Sequence, residues 1–303
     1  MRLLKLVGPD KFSLVQVPTH NTLSYAILSH TWVHGQEITY EDLSSGAGES
    51  KAGYEKIRFC GKQAIKDGLQ YFWVDTCCID KSNNTELTTA INSMFRWYRN
   101  AKKCYVLLTD VSTPSYDGNL EANQSTWEVA FRDSKWWTRG WTLQELIAPT
   151  IVEFFSKQGK QLGDKKSLET LIHERTRIPL QALRGDPFSD FSITERIGWA
   201  TQRQTTEEED TIYCLLGLCG VSMLPIYGEG KEAALKRLQT TVREFSKGSS
   251  KPMNLGLYGH DINDSGQLNW SSSSPGVEET KRVREGENDG PNCALKSSFI
   301  IHS

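Results

Sequence analysis

The run Tyr71-Phe72-Trp73-Val74, followed at once by Asp75-Thr76-Cys77-Cys78-Ile79-Asp80, decides the fold. Four large apolar residues ending abruptly in a polar stretch have the length and composition of a buried strand. Just upstream, Ile57, Gly61, Ala64, Ile65 and Gly68 recur at helical spacing, and Gly68 is placed to stop that helix. Just downstream, Leu87, Ile91, Met94 and Tyr98 mark an amphipathic helix over 85–101. Apolar runs at 25–29, 104–108 and 151–155 supply three further strands. Strand and helix alternating in this way predict an α/β fold, a flavodoxin-like parallel sheet with helices on both faces. Residues 3–17 read as a hairpin turning at Gly8-Pro9-Asp10, and 40–53, rich in Gly, Ser and acid, as a loop.

From Gly159 onward the pattern turns helical. Leu168, Leu171 and Ile172 suggest one helix. Ser192-x-x-Glu195 and Thr206-x-x-Glu209 have the spacing of capping boxes, and Leu235, Leu238, Val242 and Phe245 mark a last helix. The expected organisation is one domain over 1–247, with a sheet core at 20–158 and a helical annex at 160–247. Beyond it lies a tail, 248–303, whose Ser, Gly, Asn and charge predict disorder. Within that tail, 259–270 alternates weakly enough to suggest a short strand.

The chain has 303 residues and a formal charge of −2, with its Lys and Arg scattered, so nucleic acid is not an expected partner. No apolar stretch approaches a membrane span and the first residues lack a signal peptide's apolar run, which points to the cytoplasm. Seven cysteines, an odd number without disulfide-framework spacing, fit reduced thiols. His30 and His34 with Cys77 and Cys78 match no zinc module, so no metal is expected. Gly228-x-Gly230-Lys231 lacks the full phosphate-loop pattern and reads as a turn leading into a helix.

Ligands of such sheets bind beyond the carboxyl ends of the strands. Those ends carry Ser29, His30 and Trp32, then Asp75 and Cys77, then Asp110. Asp75 reads either as a ligand-binding carboxylate or as a loop cap, and Cys77 as a reactive thiol or a packed one. A second loaded stretch is Trp136-Trp137-Thr138-Arg139-Gly140-Trp141-Thr142-Leu143-Gln144-Glu145-Leu146-Ile147-Ala148-Pro149. On a short helix Trp141 and Glu145 share a face, as a site for a cationic or sugar-like ligand would require. The competing reading of Thr142-x-x-Glu145 is a capping box, with Pro149 ending the helix.

Four blocks together resemble the fungal heterokaryon-incompatibility (HET) domain: Tyr25-Ala26-Ile27-Leu28-Ser29-His30-Thr31-Trp32, Trp73-Val74-Asp75-Thr76-Cys77-Cys78-Ile79-Asp80-Lys81, Arg139-Gly140-Trp141-Thr142-Leu143-Gln144-Glu145-Leu146 and Asp210-Thr211-Ile212-Tyr213-Cys214-Leu215-Leu216-Gly217-Leu218. They stand in the family's order over about residues 20–245. The likeness extends to HET domains at the N-terminus of NOD-like incompatibility receptors, and it implies a cell-death effector of non-self recognition. A remoter likeness is to TIR domains, whose Trp-Cys-x-x-Glu-Leu motif carries the glutamate of NAD-cleaving members. Trp141-Thr142-Leu143-Gln144-Glu145-Leu146 is similar to it, with Thr142 in place of the cysteine. By that resemblance Glu145 is the catalytic residue, with Ser29, His30, Trp32, Asp75, Cys77, Arg139 and Trp141 lining the pocket. NAD or a related nucleotide is then the substrate, no bound cofactor is needed, and activation involves homo-oligomers. The alternative is a module without chemistry that self-associates or recruits a downstream death partner.

Overall fold

The computed structural model describes residues 1–8, 10–18, 23–113 and 120–248, with the side chains of 120–126 left aside. The expected tail, including its weakly alternating stretch, lies outside the described residues. Seven strands form one sheet: β1 (Arg2–Gly8), β2 (Lys11–Gln16), β3 (Tyr25–His30), β4 (Tyr71–Trp73), β5 (Lys103–Leu108), β6 (Val152–Ser156) and β7 (Gln161–Asp164). Their spatial order is β2-β1-β4-β3-β5-β6-β7. The four central strands, β4-β3-β5-β6, are parallel and wind as flavodoxin-like sheets do. β3 lies at their middle and every one of its residues is buried, as an unbroken apolar run requires.

The sheet is mixed rather than purely parallel. The expected N-terminal hairpin is present and joins β4 antiparallel through β1. β7 turns back antiparallel on β6 through Gly159, at φ +74°, a strand where only helices were expected. Its residues Gln161-Leu162-Gly163-Asp164 carry too little apolar alternation to be read as a strand.

The helices of the sheet unit are α1 (Tyr40–Ser45), α2 (Ala52–Lys66), α3 (Asp75–Cys78), α4 (Asn84–Asn100), α5 (Leu120–Asp133) and α6 (Thr142–Ile147). α1 overturns the reading of 40–53 as a loop. Thr39 and Asp42 make a reciprocal capping box there, hidden in the sequence because the acid is Asp rather than Glu.

Alternation along the strands separates the two faces of the sheet. Phe72 and Phe155 point to α2, where Gly61 lies against the Phe72 ring and Phe59 packs edge-on to Phe155. Their neighbours Trp73 and Phe154 point the other way, to Trp97 and Tyr98 of α4 and to Phe131, Trp136 and Trp137. Helices thus cover both faces, as expected.

The annex contains α7 (Glu169–Thr176), α8 (Leu180–Arg184), α9 (Ile193–Gly198), α10 (Asp210–Tyr213), α11 (Leu216–Cys219) and α12 (Lys231–Gly248). Ser192 and Glu195 form the predicted capping box: Ser192 Oγ accepts from Glu195 N (3.1 Å) and Glu195 Oε2 from Ser192 N (2.7 Å). Ser192→Ala is expected to lower the unfolding free energy by about 1 kcal/mol, read as a shift of the urea midpoint without a change in slope.

The second expected box does not form. α10 begins at Asp210, and Glu209 turns instead to the later loop, where Oε1 accepts the backbone N–H groups of Gly228 (2.7 Å) and Gly230 (3.0 Å). The glycine turn is therefore an anion cradle that the chain's own carboxylate fills.

Annex and sheet unit are tied by backbone and side chain. Gly140 N donates to Gln204 O (2.9 Å) and Gln204 N to Thr138 O (2.6 Å). Asn92 of α4 exchanges two hydrogen bonds with the Met223 backbone.

Candidate functional site

α6 is six residues long and entirely buried. Its N-cap residue is Trp141, without a side-chain capping bond, so Thr142 and Glu145 form no capping box. The Thr142 hydroxyl sits among the carbonyls of Trp136 (2.7 Å) and Arg139 (2.8 Å) and accepts from Arg203 Nη1 (2.7 Å). Glu145 is released from the backbone. Its Oε2 accepts a hydrogen bond from Ser29 Oγ of β3, and that same hydroxyl accepts from the Trp136 indole N–H (2.8 Å). A helix cap would be exposed near its own backbone, whereas Glu145 is 4% exposed and bonded 116 residues away.

Asp75 opens α3 at the end of β4, and it too is bonded across the fold. Its Oδ2 accepts from Trp32 Nε1 (3.0 Å) and its Oδ1 lies 3.1 Å from His30 Nε2. On its other side His30 Nδ1 stands 3.8 Å from Glu37, which is ion-paired with Lys56 of α2. Asp75, Lys81, Trp141 and Glu145, backed by Ile79, Ile91 and Met94, enclose a cavity of about 10 Å³ at the carboxyl edge of the sheet. That is room for about one water molecule.

The two carboxylates on this cavity are pushed in opposite directions. Burial, reinforced by the charge of Asp75, raises the Glu145 pKa to about 8, against the hydrogen bonds from Ser29 and Tyr98 and the charge of Arg203. Burial also works on Asp75, but the hydrogen bond and charge of His30, with Lys81 and the Trp32 N–H, outweigh it and hold Asp75 below the usual carboxylate range. Near neutral pH, Glu145 is therefore largely protonated and Asp75 ionised. Two carboxylates with opposed preferences can hold a proton on one and a charge on the other.

The structure brings together Ser29 with Glu145, His30 and Trp32 with Asp75, and Asp75 with Trp141 and Glu145. It places Cys77 and Arg139 elsewhere. Cys77 is fully buried with its thiol 4.0 Å from Val74 O, and burial pushes its pKa well up, away from a reactive thiolate. Arg139 bridges to Gln204 and donates to Thr206 Oγ1 (3.3 Å), at the seam with the annex. Asp110 accepts from Ser134 Oγ and Lys135 N, both at 2.8 Å, and so caps the turn Lys135–Thr138. Among the described residues, no three His, Cys, Asp or Glu side chains converge as metal ligands would.

Sequence reasoning did not single out Lys81 or Asp210. Lys81 lies in the loop after α3, half-buried, with its ammonium 3.5 Å from the centroid of the Trp32 ring. Asp210 is fully buried and accepts from Trp141 Nε1 (3.0 Å) and the Tyr227 hydroxyl (2.9 Å). Burial raises its pKa to about 7. It holds the indole of Trp141, a wall of the cavity, from the annex side. Both residues lie in quoted blocks, but their partners are distant in sequence, so no local spacing reveals them.

Asp75 and Glu145 thus share one cavity with Trp141 at the carboxyl edge of an α/β sheet. Residues 25–124 match the family model described as Heterokaryon incompatibility protein (HET). The chain carries a heterokaryon-incompatibility (HET) domain. It is 58% identical over 227 residues to the vegetative incompatibility protein HET-E-1 of Podospora anserina. That similarity covers 75% of this chain but 16% of the relative's length, so the chain spans a small part of that protein. No solved structure matches the chain significantly. No described helix is long and apolar enough to cross a membrane.

Proposed function

We propose that this domain is a cell-death effector of fungal non-self recognition, acting in the cytoplasm, and that it kills by hydrolysing NAD or a related nucleotide at the Asp75–Glu145 cavity. The observation that carries this reading is a pair of buried carboxylates, Asp75 and Glu145, on one cavity at the sheet edge where such folds bind ligands. Cleavage of the nicotinamide–ribose bond leaves the electron pair on the departing ring, which becomes neutral. Cationic character grows on the sugar carbon, where water adds, and the water's proton passes to a carboxylate. Nicotinamide leaves readily without an acid, so the residues' task is to stabilise the sugar cation and align the water.

Asp75, held below the usual carboxylate range, carries the charge for that task. A bound cationic ring would in turn favour ionisation of Glu145, giving a second negative group only when substrate is present. Trp141 and Trp32 offer aromatic faces.

The cavity's volume of about 10 Å³ favours a second reading in the resting state. A nucleotide does not fit, so catalysis requires the residues that line the cavity to rearrange. We infer that self-association of the domain drives that opening. A module that only recruits a partner would also present a closed cavity.

The two readings separate in cells. With the domain fused to an inducible dimeriser, NAD is expected to fall before viability does, and Glu145→Gln to prevent both. Death with NAD intact, or death that survives Glu145→Gln at equal protein level, would leave recruitment as the function.

A further inference from the structure

We propose that the face of the Trp32 indole, together with Asp75, is a slot for an organic cation of the N-substituted pyridinium class, and that Lys81 is the chain's own placeholder in it. Three observations converge on this. The Lys81 ammonium lies 3.5 Å from the Trp32 ring centroid, well within cation–π range. Trp32 is locked in place by its N–H bond to Asp75 Oδ2 (3.0 Å), so the ring face and the negative charge are presented as one rigid unit. Lys81 also lines the cavity shared by Asp75 and Glu145, so displacing its side chain joins the Trp32 face to that cavity, with Asp75 common to both.

The placeholder is weakly held. Among the described residues, the ammonium of Lys81 has the Trp32 ring as its direct partner and no hydrogen-bonded carboxylate. Burial lowers the Lys81 pKa to about 8 despite the charge of Asp75, so this ammonium is held less firmly than an ion-paired one. A planar pyridinium has no donors on its ring nitrogen and spreads its charge over a face that stacks on indole. It suits a slot of one aromatic wall and one carboxylate better than an ammonium does.

This deepens the nucleotide reading and rests on it for the identity of the natural ligand. It predicts selection for oxidised over reduced nicotinamide, because the reduced ring is neutral. The slot itself is testable without turnover.

The experiment measures binding of 1-methylnicotinamide, a cation, and of nicotinamide, its neutral counterpart, to the full 303-residue chain by tryptophan fluorescence and calorimetry. Lys81→Ala vacates the slot, and Lys81→Gln is the more conservative alternative should the alanine variant fold poorly. The vacated protein is expected to bind the cation about tenfold more tightly than the neutral ring, and about tenfold more tightly than the wild type does. Adding Trp32→Leu is expected to erase the preference. Equal binding of the two rings to the vacated protein, no binding of either, or a preference that survives loss of Trp32 would overturn the slot. Cation selectivity without Glu145-dependent NAD loss would keep the slot and remove the hydrolase reading. Glu145-dependent NAD loss without cation selectivity would do the reverse.

Discussion

Replacing Glu145 with glutamine is expected to stabilise the protein at pH 8 by roughly 2–4 kcal/mol while having little effect at pH 5. Glu145 has an ordinary value near 4.5 when unfolded and about 8 when folded. Between those pH values the folded protein keeps a proton that the unfolded chain releases, so its stability contribution is complete below about pH 4.5 and is lost as pH rises through 8. Asp210, raised from 3.8 to about 7, works in the same direction. Wild-type stability should therefore fall from pH 5 to pH 8. Glutamine fits the same space, can accept the Ser29 hydroxyl, and carries no charge to bury. Urea midpoints of both proteins at pH 5, 6.5 and 8 measure this. Parallel curves would mean that Glu145 is solvated in solution and that its buried environment is wrong. A group that costs stability in its own fold is commonly there for function.

Gly217→Val is expected to cost at least about 3 kcal/mol and to release the annex from α4. Gly217 lies in α11, and a Cβ there would overlap the Cβ and Cγ of Phe95 and stand 2.7 Å from its Cδ2. Phe95 is itself packed, 8% exposed, so the ring has nowhere to withdraw. Gly217 does not have a positive φ, so the effect is steric and not a matter of backbone strain. The double variant with Phe95→Ala should recover part of the loss, a coupling of 1 kcal/mol or more of the size seen for residues in direct contact, about 0.5–3 kcal/mol. Additive losses would show that the two helices do not meet there. Because the annex also carries Asp210 and so holds Trp141, the valine variant should disturb the cavity as well as the fold.

The sheet was legible because the strands are short apolar runs and the helices between them are amphipathic, signals that local sequence carries in full. β3 and β4 could be read from Tyr25-Ala26-Ile27-Leu28 and Tyr71-Phe72-Trp73. β7 could not, since an edge strand exposed on one side needs no apolar alternation. Three S/T-x-x-E spacings looked alike as capping boxes, and only Ser192–Glu195 became one. Thr142–Glu145 and Thr206–Glu209 diverged because a better partner was available through space, Ser29 for one carboxylate and the Gly228–Gly230 amides for the other. That Ser29, His30, Trp32 and Asp75 gather at the carboxyl edge was legible from the strand ends. Lys81 and Asp210 were not, because cation–π stacking and a bond from one block to another leave no trace in spacing. Arg139 illustrates the converse: it sits in the motif itself, yet its side chain serves the seam with the annex.

The most direct test of the account is NAD consumption by the purified protein, wild type against Glu145→Gln, as monomer and under enforced oligomerisation, with folding checked by circular dichroism. The account predicts release of nicotinamide by the assembled wild type and a loss of at least about 100-fold in the folded variant, the scale on which removal of one group that stabilises developing charge is felt. NAD left intact by every assembled form, or consumed equally by the variant, would contradict it.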